Sequence, residues 1–233
     1  MVSSYLMNTV MDNVNLFPLF LSFRVAVTAT LISIMLGLPL AYFLSRQQSK
    51  LSDFIDTLTN LPVVLPPTVL GYYLLVMLGR QSWVGKFLEE QFNIMIVFTP
   101  TGAIIAAMVV SIPYLIKASK TALLEVNEDY LNAARLLGRS ELNIFFTVMI
   151  PIAWRGIISG ITMSFARALG DFGTTLMVAG SIPDKTLTMP IAIYDALQAG
   201  DKDMVNLLVL VMTSVSIIVL FLINRLEGKM KKG

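Results

Sequence analysis

Long apolar stretches separated by short polar ones set the pattern of this chain. Residues 17–45, 54–79, 100–123, 152–173 and 204–224 each read as a membrane span, since a crossing takes about 20 predominantly apolar residues. The first is longer than a crossing needs, which predicts tilt or projection past the bilayer. Arg24, near its start, is placed to snorkel to the surface. In the second, FIDTLTNLPVVLPPTVLGYYLLVMLG, Pro62, Pro66 and Pro67 precede Gly71. Each proline removes a helical donor, so this span is predicted to bend or break. Broken helices are tolerated at membrane depth where the freed groups are buried or line a cavity, and in transporters they line sites. These four residues are therefore pathway or gate candidates, the alternative being a kink needed only for packing. Residues 80–99 read as a polar loop with Trp83 as an interface anchor. Residues 174–203 are too interrupted for a clean span, and TMPIAIYDALQAG within them reads as a short helix near the outer surface.

The stretch 125–151, EVNEDYLNAARLLGRSELNIFFTVMIP, differs in kind. Its period predicts two short amphipathic helices. Tyr130, Leu131, Ala134 and Leu137 share a face of the first; Leu142, Phe145, Phe146 and Met149 share a face of the second. Gly138 lies between them, where a helix end favours a residue that accepts positive φ. Ser140 is placed to cap the second helix, with Glu141 in its first turn. The second helix is expected to end at Pro151, with the fourth span a separate element.

In that fourth span Gly156, Gly160, Ser164 and Ala168 recur every four residues, a small-residue stripe for close helix packing within the subunit or across a dimer. Deeper in the same span stands FARALGDFG. A charge at the bilayer centre costs about 2.5–3.5 kcal/mol, so Arg167 and Asp171 must face a partner or a cavity. They are either an i,i+4 pair steadying the helix near its break or, for Arg167, a source of positive potential along an anion pathway. Gly170 and Gly173 join them as pathway candidates.

Composition narrows the chemistry. The 233 residues are 56% hydrophobic and 14% charged, with a mean hydropathy of +0.76. That is the balance of a polytopic membrane protein folded as one domain, 1–233. There is no Cys and no His, which excludes a disulfide framework, Cys/His zinc sites and Ser-His-Asp or Cys-His catalysis. No metal ligand set and no catalytic residue is expected, and the near-neutral net charge does not point to nucleic acid. The start, MVSSYLMNTVMDNVNLF, lacks a basic n-region and reads as an interfacial segment instead of a cleaved signal. With only residues 225–233 after the last span, no appended regulatory domain is expected. Placing 125–151 in the cytoplasm puts Arg46, Lys50, Lys117, Lys120, Arg135, Arg139, Arg155, Arg225, Lys229, Lys231 and Lys232 there as well. Only Arg80, Lys86, Lys185 and Lys202 fall outside, in keeping with the positive-inside rule. Five spans then put the N-terminus outside and the C-terminus in the cytoplasm; a sixth span would have to come from the N-terminal segment.

The sequence also carries a resemblance. Asn132-Ala133-Ala134, three residues, Gly138, nine residues, then Val148-Met149-Ile150-Pro151 is similar to the EAA loop of ABC-importer permeases. In that family the loop forms a coupling helix that docks in a groove of the ATPase subunit. The resemblance implies ATPase-coupling roles for Asn132, Ala133, Ala134, Arg135, Gly138, Arg139 and Pro151. Asn132 stands where the family usually has Glu, which removes the charge for an ion pair there. LPVVLPPTVLGYYLLVMLGR, FARALGDFGTTLMVAGSIPDKT and MPIAIYDALQAGD resemble molybdate-importer permeases, with sulfate and tungstate permeases as relatives. The resemblance implies an all-α MetI-like permease fold in the cell membrane. It also implies a homodimer that works with two ATPase copies and an external, periplasmic or lipid-anchored, molybdate-binding protein. No GxxxxGK[ST] loop is present, so no cofactor is expected on this chain, and ATP and Mg would be used by the ATPase. A sulfate or other oxyanion ABC permease is the alternative substrate class. A secondary transporter would show an inverted repeat and midplane carboxylates, whereas no repeat is visible and Asp171 is the one deep acid. An intramembrane protease ranks last, since Ser164 has no His and no well-placed Lys.

Overall fold

The computed structural model describes residues 15–47 and 49–229, and among these it is helical with no strand. The N-terminal interfacial segment and a sixth span fall on residues 1–14, outside the described residues. Among the described residues, four helices are long and apolar enough to cross a membrane: α1 (Phe17–Arg46), α5 (Pro100–Leu124), α7 (Glu141–Leu169) and the Lys202–Phe221 part of α10 (Lys202–Lys229). The pair α2 (Lys50–Val64) and α3 (Pro67–Leu78) is bent by 115°, the geometry of a broken span or a re-entrant loop, and makes a fifth candidate if the two count as one crossing.

Proline chemistry explains that bend. Leu65 precedes Pro66, and Pro66 precedes Pro67, so both are pushed out of the helical region. Leu65 adopts φ −71°, ψ 138° and Pro66 φ −54°, ψ 138°. Pro67 then opens α3, where its missing N–H costs nothing. Pro62 stays inside α2 and Pro113 inside α5 without ending either helix.

α1, α5 and α7 make the centre. The start of α1 packs with the start of α5 and the end of α7 through Val25, Ala26, Ala29, Ala103, Ala107, Phe165 and Ala168. At the other end, Ala41, Leu44, Ile116, Leu123, Ile144, Met149 and Ala153 close a second cluster with α6 (Glu128–Leu136). Small residues set the spacing here, as dispersion between closely approached backbones requires. The Gly156 and Gly160 stripe is used within the subunit. A Cβ at Gly156 would strike Ala122, and one at Gly160 would lie 3.0 Å from the Ala118 Cβ. Lys120 of α5 reaches Asp56 at 3.0 Å and ties α2 to the bundle.

Three boundaries differ from the sequence expectation. Residues 80–99 are not a plain loop: Ser82 caps a helix, α4 (Trp83–Phe92), accepting from the Gly85 N–H at 2.8 Å. The second amphipathic helix does not stop at Pro151. It continues into the fourth span as α7, through a π turn over Phe145–Met149. Proline clashes with the carbonyl four residues back; the π turn, in which the Ile150 N–H bonds to the Phe145 carbonyl, widens the helix just before Pro151. Finally, α7 ends at Leu169 with Gly170 as its cap, and Gly173 instead begins a separate short helix, α8 (Gly173–Ala179). The expected helix in TMPIAIYDALQAG is α9 (Met189–Gln198), packed on α10 through Met189, Ala192 and Leu208.

Candidate functional site

Two places gather the residues singled out by sequence. The first is the junction of α6 and α7. Asn127 opens α6, its Oδ1 accepting from the Asp129 N–H at 2.9 Å. The helix ends in a Schellman motif: the Arg139 N–H bonds to the Ala134 carbonyl at 3.1 Å and the Gly138 N–H to the Arg135 carbonyl at 2.9 Å. Gly138 holds φ +75°, the left-handed value that makes glycine the natural residue there, while a Cβ would meet nothing within 4 Å. Ser140 caps α7 as expected, accepting from the Asn143 N–H at 3.4 Å.

Leu131 and Ala134 face inward from α6, and Ile144, Phe145 and Met149 from α7. The rest of the expected faces turns out. Tyr130, Leu137, Leu142 and Phe146 are exposed, with Leu136 at 90% and Leu137 at 80%. The two short segments are gripped by the bundle along a narrow strip, and the remaining apolar side chains form an outward patch.

Charges hold this junction in place. Arg46, ending α1, meets Glu128 at 2.6 Å. Arg135 meets Glu141 at 2.7 Å and Glu128 at 3.7 Å, and also donates to Asn132 Oδ1 at 2.9 Å. The hydrogen bond from Arg46 holds the Glu128 carboxyl below the usual carboxylate range. The hydrogen bond to Glu141 raises the already high Arg135 guanidinium further. Asn132 thus serves as a neutral acceptor. Sequence reasoning placed Glu141 in a first turn and Arg46 at a span's end but missed their pairings: Arg135 and Glu141 are six apart across a reversing Gly138, where helical spacing rules do not apply, and Arg46 and Glu128 are distant in the chain.

The second place is where α3 crosses α8. A Cβ on Gly71 would come within 2.6 Å of the Met177 Cβ and 3.2 Å of the Thr174 Cα; one on Gly173 would come within 3.0 Å of the Pro67 Cβ. Thr174 Oγ1 donates to the Pro67 carbonyl at 3.3 Å, tying α8 to the first turn of α3. Asp171 organises the α8 side. Its carboxylate is 1% exposed, with Oδ1 3.3 Å from Arg167 Nη1. Oδ2 accepts from both the N–H and the Oγ1–H of Thr175, at 2.9 and 2.8 Å. The i,i+4 pair therefore exists, and its acid also caps the short helix. Pro66, Pro67, Gly71, Arg167, Asp171 and Gly173 come together here, with Gly170 at the turn between α7 and α8. Pro62 does not join them, lying in α2 ahead of the break.

This architecture can be placed among known proteins. The family model "Binding-protein-dependent transport system inner membrane component" matches residues 29–232. The chain belongs to that family. It is a permease subunit of an ABC importer, a multi-pass inner-membrane protein of a class that works with an ATPase and a binding protein. The molybdenum transport system permease protein ModB of Haemophilus influenzae is 35% identical, the match covering 91% of this chain and 93% of the relative. The sulfate transport system permease protein CysT of Synechocystis is 31% identical, over 88% of this chain and 72% of the relative. In structure, the chain resembles a chain of the inward-facing MetNI methionine ABC transporter, with a TM-score of 0.71 over 91% of this chain and 94% of that one at 16% identity. That likeness concerns the fold.

Proposed function

We propose that this chain is the permease subunit of an ATP-driven molybdate importer, with tungstate as a second oxyanion it would pass. The observation that carries the substrate is the 35% identity to a molybdenum permease over nine-tenths of each chain. Two copies of this chain form the pathway. The α6–α7 junction lies in the cytoplasm, where Asn132, Ala133, Arg135, Gly138 and Arg139 meet the ATPase, and the C-terminal end of α10 lies on the same side. The chain binds no nucleotide; ATP and Mg are used by the ATPase. An external binding protein delivers the oxyanion. ATPase closure moves the α6–α7 junction, and the motion reaches the α3–α8 crossing through the continuous helix α7, so that the pathway opens alternately to each side. The coupling role is supported by an outward apolar patch on an ion-paired base; the gate role, by two short helices meeting where one span is broken. Positive potential from Arg167 is partly neutralised by Asp171, so the binding protein does most of the selecting.

The test is uptake into proteoliposomes holding this chain, its ATPase and its binding protein. Molybdate, tungstate and sulfate are compared with and without internal ATP. ATP-dependent molybdate uptake with sulfate excluded is expected. Sulfate uptake in its place, which the 31% identity to a sulfate permease makes the second reading, overturns the substrate; uptake without ATP overturns the coupling.

A further inference from the structure

At the end of α5 away from the α6–α7 junction, the end of α3, α4 and the segment 94–99 surround a partly open cavity of about 960 Å³. Ligand pockets run from roughly 300 to 1,000 Å³. Close backbone approach builds its walls. A Cβ on Gly85 would strike the Gly79 carbonyl oxygen, so α4 folds tightly back on the end of α3. On the other side, Phe98 holds φ +60° while its N–H donates to the Val178 carbonyl of α8 at 3.0 Å. A bulky residue keeps that left-handed conformation only where its surroundings hold it there.

Leu75, Leu78, Val84, Leu88, Ile96 and Val97 make the lining apolar, and its charged members are Arg80, Glu89 and Lys185. Arg80 meets Glu89 at 3.2 Å and also touches the Met95 sulfur, so it reaches from one wall to the other. Lys185 has no carboxylate within ion-pairing distance among the described residues. Asp184, its neighbour in the chain, accepts from Asn15 and does not line the cavity. Arg80 and Lys185 are both exposed, and two cations against one carboxylate leave the rim positive. Outside the cavity α4 presents Trp83 and Phe87, both exposed, their rings stacked at 6.1 Å. Exposed aromatics on a short helix between membrane-crossing segments suit the headgroup level of a bilayer. An apolar cavity at that level borders acyl chains, and a positive rim attracts lipid phosphate.

We propose that this cavity holds an acyl chain of an anionic phospholipid, whose headgroup phosphate is bound by Arg80 and Lys185. Glu89 competes with that phosphate for Arg80. Because α3 lines the cavity and α8 is bonded to its wall, an occupied cavity braces the α3–α8 crossing. The site needs neither the oxyanion nor the ATPase assigned above, so its failure would leave that reading standing.

The experiment adds phosphatidylglycerol or phosphatidylcholine to the delipidated chain in detergent. Native mass spectrometry counts the bound lipid, and thermal unfolding follows its effect. Wild type should retain one tightly held phosphatidylglycerol, unfold at a higher temperature with it, and hold phosphatidylcholine more weakly. Arg80→Gln combined with Lys185→Gln should weaken phosphatidylglycerol about 10-fold or more and abolish the preference for it. Glu89→Gln, which frees Arg80, should tighten it. Val84→Trp, which narrows the cavity, should weaken both lipids. Equal retention of the two lipids by wild type, or a preference that survives the double substitution, overturns the proposal. So does a Val84→Trp variant that keeps both lipids, or displacement of the lipid by glycerol 3-phosphate at matched concentration, since the rim would then bind phosphate alone. Displacement by the purified external binding protein overturns it as well, because the cavity would then belong to a protein contact.

Discussion

Asp171 shows how much one buried carboxylate can organise. Its two oxygens serve three donors, from Arg167, the Thr175 backbone and the Thr175 hydroxyl. Removing it leaves Arg167 short of a counter-charge and a buried N–H without an acceptor. Asp171→Ala should therefore cost about 3 kcal/mol, within the range for breaking buried pairs and orphaning buried donors. Asp171→Asn keeps an acceptor for Thr175 and should cost about 1 kcal/mol. Thermal unfolding of the purified protein in detergent checks the order, and equal melting temperatures for the two variants would remove the capping role. The i,i+4 relation to Arg167 was legible in the sequence. The bonds to Thr175 were not, because they depend on α7 ending at Leu169 and α8 starting two residues after Asp171.

Among elements, the informative contact is α3 on α8. Gly71 lets the two helices touch, since a Cβ there would sit 2.6 Å from the Met177 Cβ, an atom fixed to its backbone. Gly71→Ala should destabilise by about 1–3 kcal/mol through overpacking and should lower transport in the proteoliposome assay. Gly170→Ala is the control. Its Cβ would meet only the Ala166 carbonyl oxygen, at an ordinary 3.5 Å, so its stability should stay within about 0.5 kcal/mol of wild type. If the two variants behave alike, close approach is not what Gly71 provides. The broken span itself was readable from Pro66 and Pro67, whose ring geometry acts locally. The π turn before Pro151 was not, because the same residues are compatible with a helix end, and packing of Phe145 and Met149 into the bundle decides between them.

Across the whole molecule, the Arg46–Glu128 pair ties the α6–α7 junction to the end of α1, and Arg135 joins Glu128 to Glu141 within the junction. The folded-state pKa of Glu128 lies below its ordinary 4.5. Its contribution is therefore complete above the ordinary value and disappears as pH falls through the lowered one. Because Glu128 is more than half exposed, the contribution is under about 1 kcal/mol. Hydrogen exchange of the α6 amides, corrected for intrinsic rates, should show constant protection from about pH 7 to pH 5 and a loss below about pH 4. Glu128→Gln should flatten that dependence and lower protection at neutral pH. An unchanged profile in the variant would mean that Arg46 does not hold α6.

By itself the sequence determined what local chemistry and period determine: the apolar spans, the break at Pro66 and Pro67, the turn at Gly138 with its positive φ, the Ser140 cap, and the Arg167–Asp171 pair. Each depends on residues a few positions apart. Tertiary structure alone decided which apolar faces are buried, since Tyr130 and Leu137 share a helical face with Leu131 and Ala134 yet lie outside the strip that the bundle covers. It also decided that Pro67 and Gly71 meet Gly173 and Thr174 across about a hundred residues of chain, and that Arg135 finds Glu128 and Glu141 while Arg139 has only neutral acceptors among the described residues. Those outcomes depend on which side chains of distant segments arrive first at each surface, and periodicity within a segment carries no record of that.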